Sequence, residues 1–327
     1  MYPLSRLNLR PDVRLGRMVS TSLAVTICLA ACGSSPASPT PTNVAPSPSG
    51  SAGPSGTGPT IPVVGTENFY ADLLAEIGGS RVSATSLLND PNADPHEFES
   101  SPQDAELVAD ARVVIVSGVG YDDFMQQLLL GSNQPDRVVI DVQDLLGLAD
   151  DVNPHVWYDP ATMPRVADAA TSALSQLDPQ DAAYFASREQ TYLASLAPIA
   201  AKVAALKAAY AGTPIAFTED VAGYLTDKIG LVVKSPVGFM KAVEEGTDPP
   251  PADVATERDL FTGKLVKVLL YNSQVTSPTT VSIHDLAALN GIPIVGVAET
   301  IPAGFDTYAA WQLAQLTGLE QALKSGG

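Results

Sequence analysis

Asn153-Pro154-His155-Val156-Trp157-Tyr158-Asp159-Pro160 stands between two runs of alternating strand-forming and helix-forming segments, and its content governs how both are read. It carries one of only three histidines and one of two tryptophans. A second Pro-His pair occurs in Asp94-Pro95-His96-Glu97-Phe98-Glu99. Proline fixes its own φ and pushes the preceding residue into an extended conformation, so each imidazole is presented from a stiff loop. Two histidines held in this way suggest one shared site, and a metal ligand benefits from such preorganisation.

Towards the N-terminus, strands are expected at 61–65, 81–88, 112–116 and 137–140. The helices between them are expected at 68–77, 101–109 and 122–130. Gly78-Gly79 supplies a left-handed stop for the first helix, and Ser101-Pro102 a cap and first turn for the second. Towards the C-terminus, 164–177 reads as helix, and 179–210 as the longest helical stretch. Tyr192, Leu196, Ile199, Val203, Leu206 and Tyr210 recur at steps of four and three along one face of it. Pro198 should kink or split this helix, since an interior proline removes a hydrogen bond and clashes with the preceding turn. Strands at 214–217, 231–234, 266–271 and 292–297, with helices at 220–229, 251–262, 278–290 and 308–323, then repeat the first half in outline.

Strands alternating with helices imply mainly parallel sheets. The expected fold is α/β: two lobes with mainly parallel sheets flanked by helices, joined by a long connecting helix. The lobes fall at 61–178 and 212–327, with the connector at 179–211. In such sheets ligands bind beyond the carboxyl ends of the strands, where His96 would lie.

The first sixty residues are of another kind. Arg6, Arg10, Arg14 and Arg17 precede an apolar run, Val19 to Ala31, too short to span a bilayer stably. Leu29-Ala30-Ala31-Cys32 looks like a bacterial lipobox, which implies cleavage before Cys32 and lipidation of its thiol; an uncleaved signal anchor is the alternative. Residues 32–60 are almost wholly Ser, Pro, Gly, Thr and Ala, too poor in apolar surface to fold, and form a tether reaching roughly 30 Å. Cys28 would leave with the leader, so no disulfide framework or thiolate site remains. Any metal must be held by nitrogen and oxygen. Loss of residues 1–31 removes four arginines and one aspartate and moves the net charge from -18 to -21. An acidic surface repels phosphate backbones and argues against nucleic-acid partners.

Two carboxylates sit where a facing lobe could complete a site. Glu219 follows the strand ending at Phe217, and Asp306 precedes the last helix. Both positions also suit ordinary capping acids at a helix N-terminus.

From Ile61 to about Lys324 the chain resembles the solute-binding proteins of zinc and manganese ABC importers, the cluster A-I metal-binding lipoproteins. The resemblance rests on Thr66-Glu67-Asn68-Phe69-Tyr70, the two Pro-His motifs, Thr218-Glu219-Asp220-Val221-Ala222-Gly223-Tyr224 and Asp306-Thr307-Tyr308, which occur in the family's order. It implies one divalent ion, Zn2+ or Mn2+, carried as cargo between two lobes by His96, His155, Glu219 and Asp306. It also implies an ABC permease with its ATPase as partners, a lipid-anchored place on the extracytoplasmic face of the cell membrane, and no enzymatic activity; the sequence gives no sign of an oligomerisation motif, so a monomer is expected. Departures from the family are the missing histidine-rich loop, Pro198 in the connector, and Asn272 where an acid is common.

Bidentate carboxylates would raise the coordination number and suit manganese, whereas monodentate ones would suit zinc. A metallohydrolase is the less favoured reading, because four protein ligands leave no open position and neither His-Glu-x-x-His nor Gly-x-Ser-x-Gly occurs. A haem- or siderophore-binding protein or adhesin on the same framework would need a wide cleft, which Phe69, Tyr70, Trp157 and Tyr224 could line. Those aromatics could equally be a water-excluding shell. His284 is expected on a helix surface, away from the site.

Overall fold

The computed structural model describes residues 59–91, 94–132 and 134–326. The leader, Cys32 and all but the last two residues of the tether lie outside them. Along the first half run β1 (Ile61–Glu67), α1 (Asn68–Gly78), β2 (Val82–Leu88), α2 (Pro102–Asp110), β3 (Val113–Val116), α3 (Phe124–Leu130), β4 (Val138–Asp141), α4 (Val142–Leu146) and α5 (Thr162–Leu177). The connector is α6 (Ala182–Tyr210). The second half holds β5 (Pro214–Phe217), α7 (Gly223–Ile229), β6 (Val232–Val233), α8 (Val237–Glu244), α9 (Pro251–Thr262), β7 (Leu269–Asn272), α10 (Pro278–Leu289), β8 (Ile294–Val297) and α11 (Tyr308–Ser325).

Each lobe is built on a four-stranded parallel sheet of the same topology, β2-β1-β3-β4 and β6-β5-β7-β8. The central strand β3 is apolar on both faces, with all four residues of Val113–Val116 buried under flanking helices. In each sheet the strand order reverses beside the first strand, between β1 and β3 and between β5 and β7. Such a reversal opens a crevice at the carboxyl ends.

The connector packs on α1 and α5 of the first lobe and on α7 and α11 of the second. Its buried side chains are Phe185, Tyr192, Leu196, Ile199, Val203 and Leu206, the apolar face expected from their spacing. At 1.5 Å per residue its 29 residues span about 44 Å. Pro198 does not split it. Pro198 and Ala194, whose carbonyl loses its donor, both lie on the exposed face. Water can therefore serve that carbonyl, and the cost of the proline falls short of a break.

Three local differences from the sequence reading have clear causes. The helix expected from Asp122 begins at Phe124, because the Asp122 carboxylate accepts the N–H groups of Ser117 (2.7 Å) and Gly118 (2.9 Å) and closes a loop instead. The short α4 and α8 carry too few residues to show a period and were not expected. The strand expected over 231–234 pairs only at Val232 and Val233.

Candidate metal centre

Both Pro-His loops use the same local device. The Asp94 side chain accepts the His96 N–H at 2.9 Å, and the Asn153 side chain accepts the His155 N–H at 2.9 Å. Asx acceptors bonded two residues on, each with a proline between, lock both turns. Asn153 does more. Its Oδ1 lies 2.8 Å from His155 Nδ1, while its Nδ2 donates to the Asp220 carbonyl at 2.6 Å and so fixes which amide atom is oxygen. Nδ1 of His155 therefore carries the proton, and the Nε2 lone pair faces inward.

The second lobe supplies carboxylates from matching positions. Glu219 lies two residues beyond the end of β5 and Glu299 two residues beyond the end of β8. His96 Nε2 stands 3.5 Å from Glu219 Oε1 and 3.2 Å from Glu299 Oε2. The corresponding distances from His155 Nε2 are 3.6 and 3.4 Å. One donor atom from each of the four residues lies within 4.8 Å of every other. Ion-to-ligand bonds of about 2.0–2.1 Å place tetrahedral ligand atoms about 3.3 Å apart, close to these separations. His155 Nε2 and Glu219 Oε1 are buried with no hydrogen-bond partner, a costly arrangement that a cation between them would relieve. Glu219, Glu299 and His155 are fully buried, whereas the His96 side chain is 21 % exposed and closes the site on its outer side.

The structure brings His96, His155 and Glu219 together and leaves Asp306 out. Asp306 is exposed on the turn before Thr307, the residue whose side chain caps α11 by accepting the Ala310 N–H. The fourth donor is Glu299, which the sequence reading missed. The signal was available in the repeat of the two lobes, because Phe217-Thr218-Glu219 and Val297-Ala298-Glu299 place an acid at the same offset from a strand end. Asp306 lies nine residues beyond its strand and is not among the donors that converge.

The surroundings exclude water. Trp157 is fully buried, with its ring centroid 5.4 Å from that of His155, 4.9 Å from Tyr121 and 4.7 Å from Phe69. Tyr121 follows a run of three left-handed residues, Gly118, Val119 and Gly120, with φ of 71°, 54° and 76°. A β-branched residue there is strained. Val119 is held in place by its N–H, which donates to Gln143 Oε1 at 2.7 Å. The turn delivers the Tyr121 hydroxyl to Glu299 Oε2 at 2.9 Å. His284 lies on α10, its side chain 42 % exposed and stacked edge-on to Tyr271, away from the centre.

The charges are strongly interdependent. Burial alone would lower His96, but the Glu219 and Glu299 carboxylates beside it outweigh that and push the imidazole up to about 11. His155 is raised in the same way against a similar burial cost. Burial and the neighbouring charge of Glu299 raise Glu219. Burial would also raise Glu299, yet the imidazoles of His155 and His96 beside it hold it well below the usual carboxylate range.

The profile of the family described as zinc-uptake complex component A, periplasmic, matches residues 63–322. The chain belongs to that family. It is a metal-binding solute-binding protein of the cluster A-I kind, not an enzyme. Among its relatives, the manganese-binding lipoprotein MntA of Bacillus subtilis is 25 % identical over 71 % of this chain and 77 % of its own length. The MntA of Halalkalibacterium halodurans is 29 % identical over 44 % of this chain, a match that spans only 49 % of that relative. The periplasmic zinc-binding protein TroA of Treponema pallidum shares the fold with a TM-score of 0.69 at 21 % identity, over 81 % of this chain and 99 % of TroA.

Proposed function

We propose that this protein captures a single divalent transition-metal ion, zinc or manganese, outside the cytoplasmic membrane and passes it to an ABC permease driven by its ATPase. The observation that carries the reading is the convergence of two imidazole nitrogens and two carboxylate oxygens, drawn equally from both lobes, into one buried cluster. The ligands we assign are His96, His155, Glu219 and Glu299. The names of the relatives, which include manganese-binding lipoproteins and a substrate-binding lipoprotein of a metal ABC transporter, support cargo, partner and anchoring alike.

In this reading residues 1–31 are the leader, Cys32 carries the lipid, and 32–60 tether the lobes 61–178 and 212–327, with 179–211 between them. The mature protein works as a monomer on the extracytoplasmic face. Several acyl chains on one cysteine give a lasting anchor where a single chain would not. Of the aromatics that could line a haem cleft, Phe69, Tyr70 and Trp157 are buried in the core, and part-buried Tyr224 is tied by its hydroxyl to the Asn153 carbonyl, so nothing among the described residues favours that reading.

The test is metal content and metal-dependent melting of the purified chain, alongside His96→Ala/His155→Ala, Glu299→Ala and Asp306→Ala. The expected result is one tightly held ion in the parent, none in the histidine double variant, a loss of about a hundredfold or more in affinity for Glu299→Ala, and little change for Asp306→Ala. A parent that neither holds nor is stabilised by zinc or manganese would sink the reading. Loss of the ion on Asp306→Ala, with Glu299→Ala silent, would reassign the fourth ligand.

A further inference from the structure

One side chain touches both carboxylates of the cluster. Asn272, the last residue of β7, is fully buried, and its Nδ2 donates to Glu219 Oε2 at 2.7 Å and to Glu299 Oε1 at 2.6 Å. Its amide orientation is settled by one further bond, and its backbone is tied by another. Oδ1 accepts the Gln274 N–H at 3.0 Å, so the amide nitrogen must be the atom facing the acids, and the Asn272 N–H donates to Thr218 Oγ1 at 3.0 Å. Both amide hydrogens are therefore committed, one to each carboxylate.

The consequence lies in which oxygens remain. Asn272 holds Oε2 of Glu219 and Oε1 of Glu299, and the opposite oxygens, Glu219 Oε1 and Glu299 Oε2, are the ones that face the two Nε2 atoms. The Tyr121 hydroxyl further steadies Glu299 Oε2 at 2.9 Å. For either acid to chelate, its carboxylate would have to turn both oxygens toward the ion. That rotation would break a buried charge-assisted bond to an amide that has nowhere else to donate.

Resting on the metal reading above, we infer that Asn272 is a specificity-determining positioning residue: it holds Glu219 and Glu299 to one oxygen each and so builds a four-coordinate site that favours zinc over manganese. Two imidazoles and two monodentate carboxylates form a tetrahedral set, the geometry zinc adopts readily. Manganese is served by higher coordination and oxygen-rich sets, which chelating carboxylates would have supplied. The intrinsic order of affinities already places zinc above manganese at any nitrogen and oxygen site, so the contribution of Asn272 is read as a change in their ratio.

The experiment uses the full chain and Asn272→Ala, with Asn272→Leu as a variant that keeps the volume and excludes water. Each is loaded with cobalt(II), whose visible absorption is intense when tetrahedral and weak at five or six coordination, and each is titrated separately with zinc and manganese. The parent should bind one cobalt with the intense spectrum. In the variants the absorption should weaken, and the ratio of zinc to manganese affinity should fall by about tenfold or more, the usual scale for loss of a partner that orients a ligand. A parent that binds one cobalt at five or six coordination would overturn the inference while leaving the metal site standing, even if neither variant folds. Equal losses for both ions with an unchanged spectrum would overturn it too, leaving Asn272 a packing residue. A parent that binds none of the three ions would bring down the metal reading and this inference together.

Discussion

At the scale of the residue, the negative charge of the cluster's carboxylates favours protonated imidazoles when no ion joins them. His96 is pushed up to about 11 by the Glu219 and Glu299 carboxylates beside it, so at neutral pH it holds a proton that an ion must displace, and His155 is shifted in the same direction. The ion-free state binds more protons than the loaded one, and affinity must therefore rise with pH. Across pH 5.5 to 8 the apparent affinity should climb by up to about tenfold per unit for each proton released. Calorimetry in buffers of different ionisation enthalpy should count at least one proton released per ion. An affinity that is flat over that range, with no proton released, would contradict the electrostatics described here. His96 and His155 were legible from sequence because Asp-Pro-His and Asn-Pro-His are local turn motifs, whereas Glu299 was not, since its role depends on a strand end brought into place by the fold.

At the scale of the element, the end of β5, Ser235 beyond β6 and α9 meet around a buried acid that takes no part in the cluster. Glu257 on α9 is fully buried; its Oε1 accepts the Ser235 hydroxyl at 3.1 Å, Ser235 Oγ in turn accepts the Phe217 N–H at 2.9 Å, and Oε2 has no partner. Burial pushes this carboxyl up to about 8, against an unfolded value near about 4.3. Between those values the folded chain keeps a proton that the unfolded chain has released. Stability attributable to Glu257 is therefore full below about pH 4, falls as pH rises, and is lost above about pH 8. Glu257→Gln keeps an uncharged donor and acceptor in place, so its melting temperature should gain on the parent as pH is raised from 5 to 9. A difference that does not grow with pH would show that Glu257 is ionised at little cost. Elements of this size reveal their type in sequence more readily than their ends. The strands β1 and β3 and the connector followed from unbroken apolar runs and a steady three-and-four spacing. The start of α3 did not, because the Asp122 carboxylate spends itself on the Ser117 and Gly118 amides, a contact that no local pattern announces.

At the scale of the whole molecule, the two lobes are bonded to each other on both sides of the cluster. On one side Asn68 exchanges two hydrogen bonds with the Ile301 backbone at 2.8 and 3.0 Å, Asp72 accepts the Tyr308 N–H at 2.8 Å, and the hydroxyls of Tyr158 and Tyr308 reach the carbonyls of Ala298 and Trp157 at 2.6 Å each. On the other side Asn153 bonds to the Asp220 carbonyl, and the Tyr224 hydroxyl donates back to the Asn153 carbonyl at 2.9 Å. With two of the proposed ligands in each lobe, a bound ion would add another link across the same seam and stabilise the joined state by mass action, about 2.7 kcal/mol at a hundredfold excess over Kd. The parent should therefore melt in one transition with or without metal. Asn68→Ala and Tyr308→Phe remove three of these bonds without touching a ligand, so the ion carries a larger share of the coupling across the seam. Calorimetry of that double variant should show two transitions without metal and one on adding zinc. Two transitions that persist in the presence of bound zinc would mean that the ion sits within one lobe's grasp and does not couple the two.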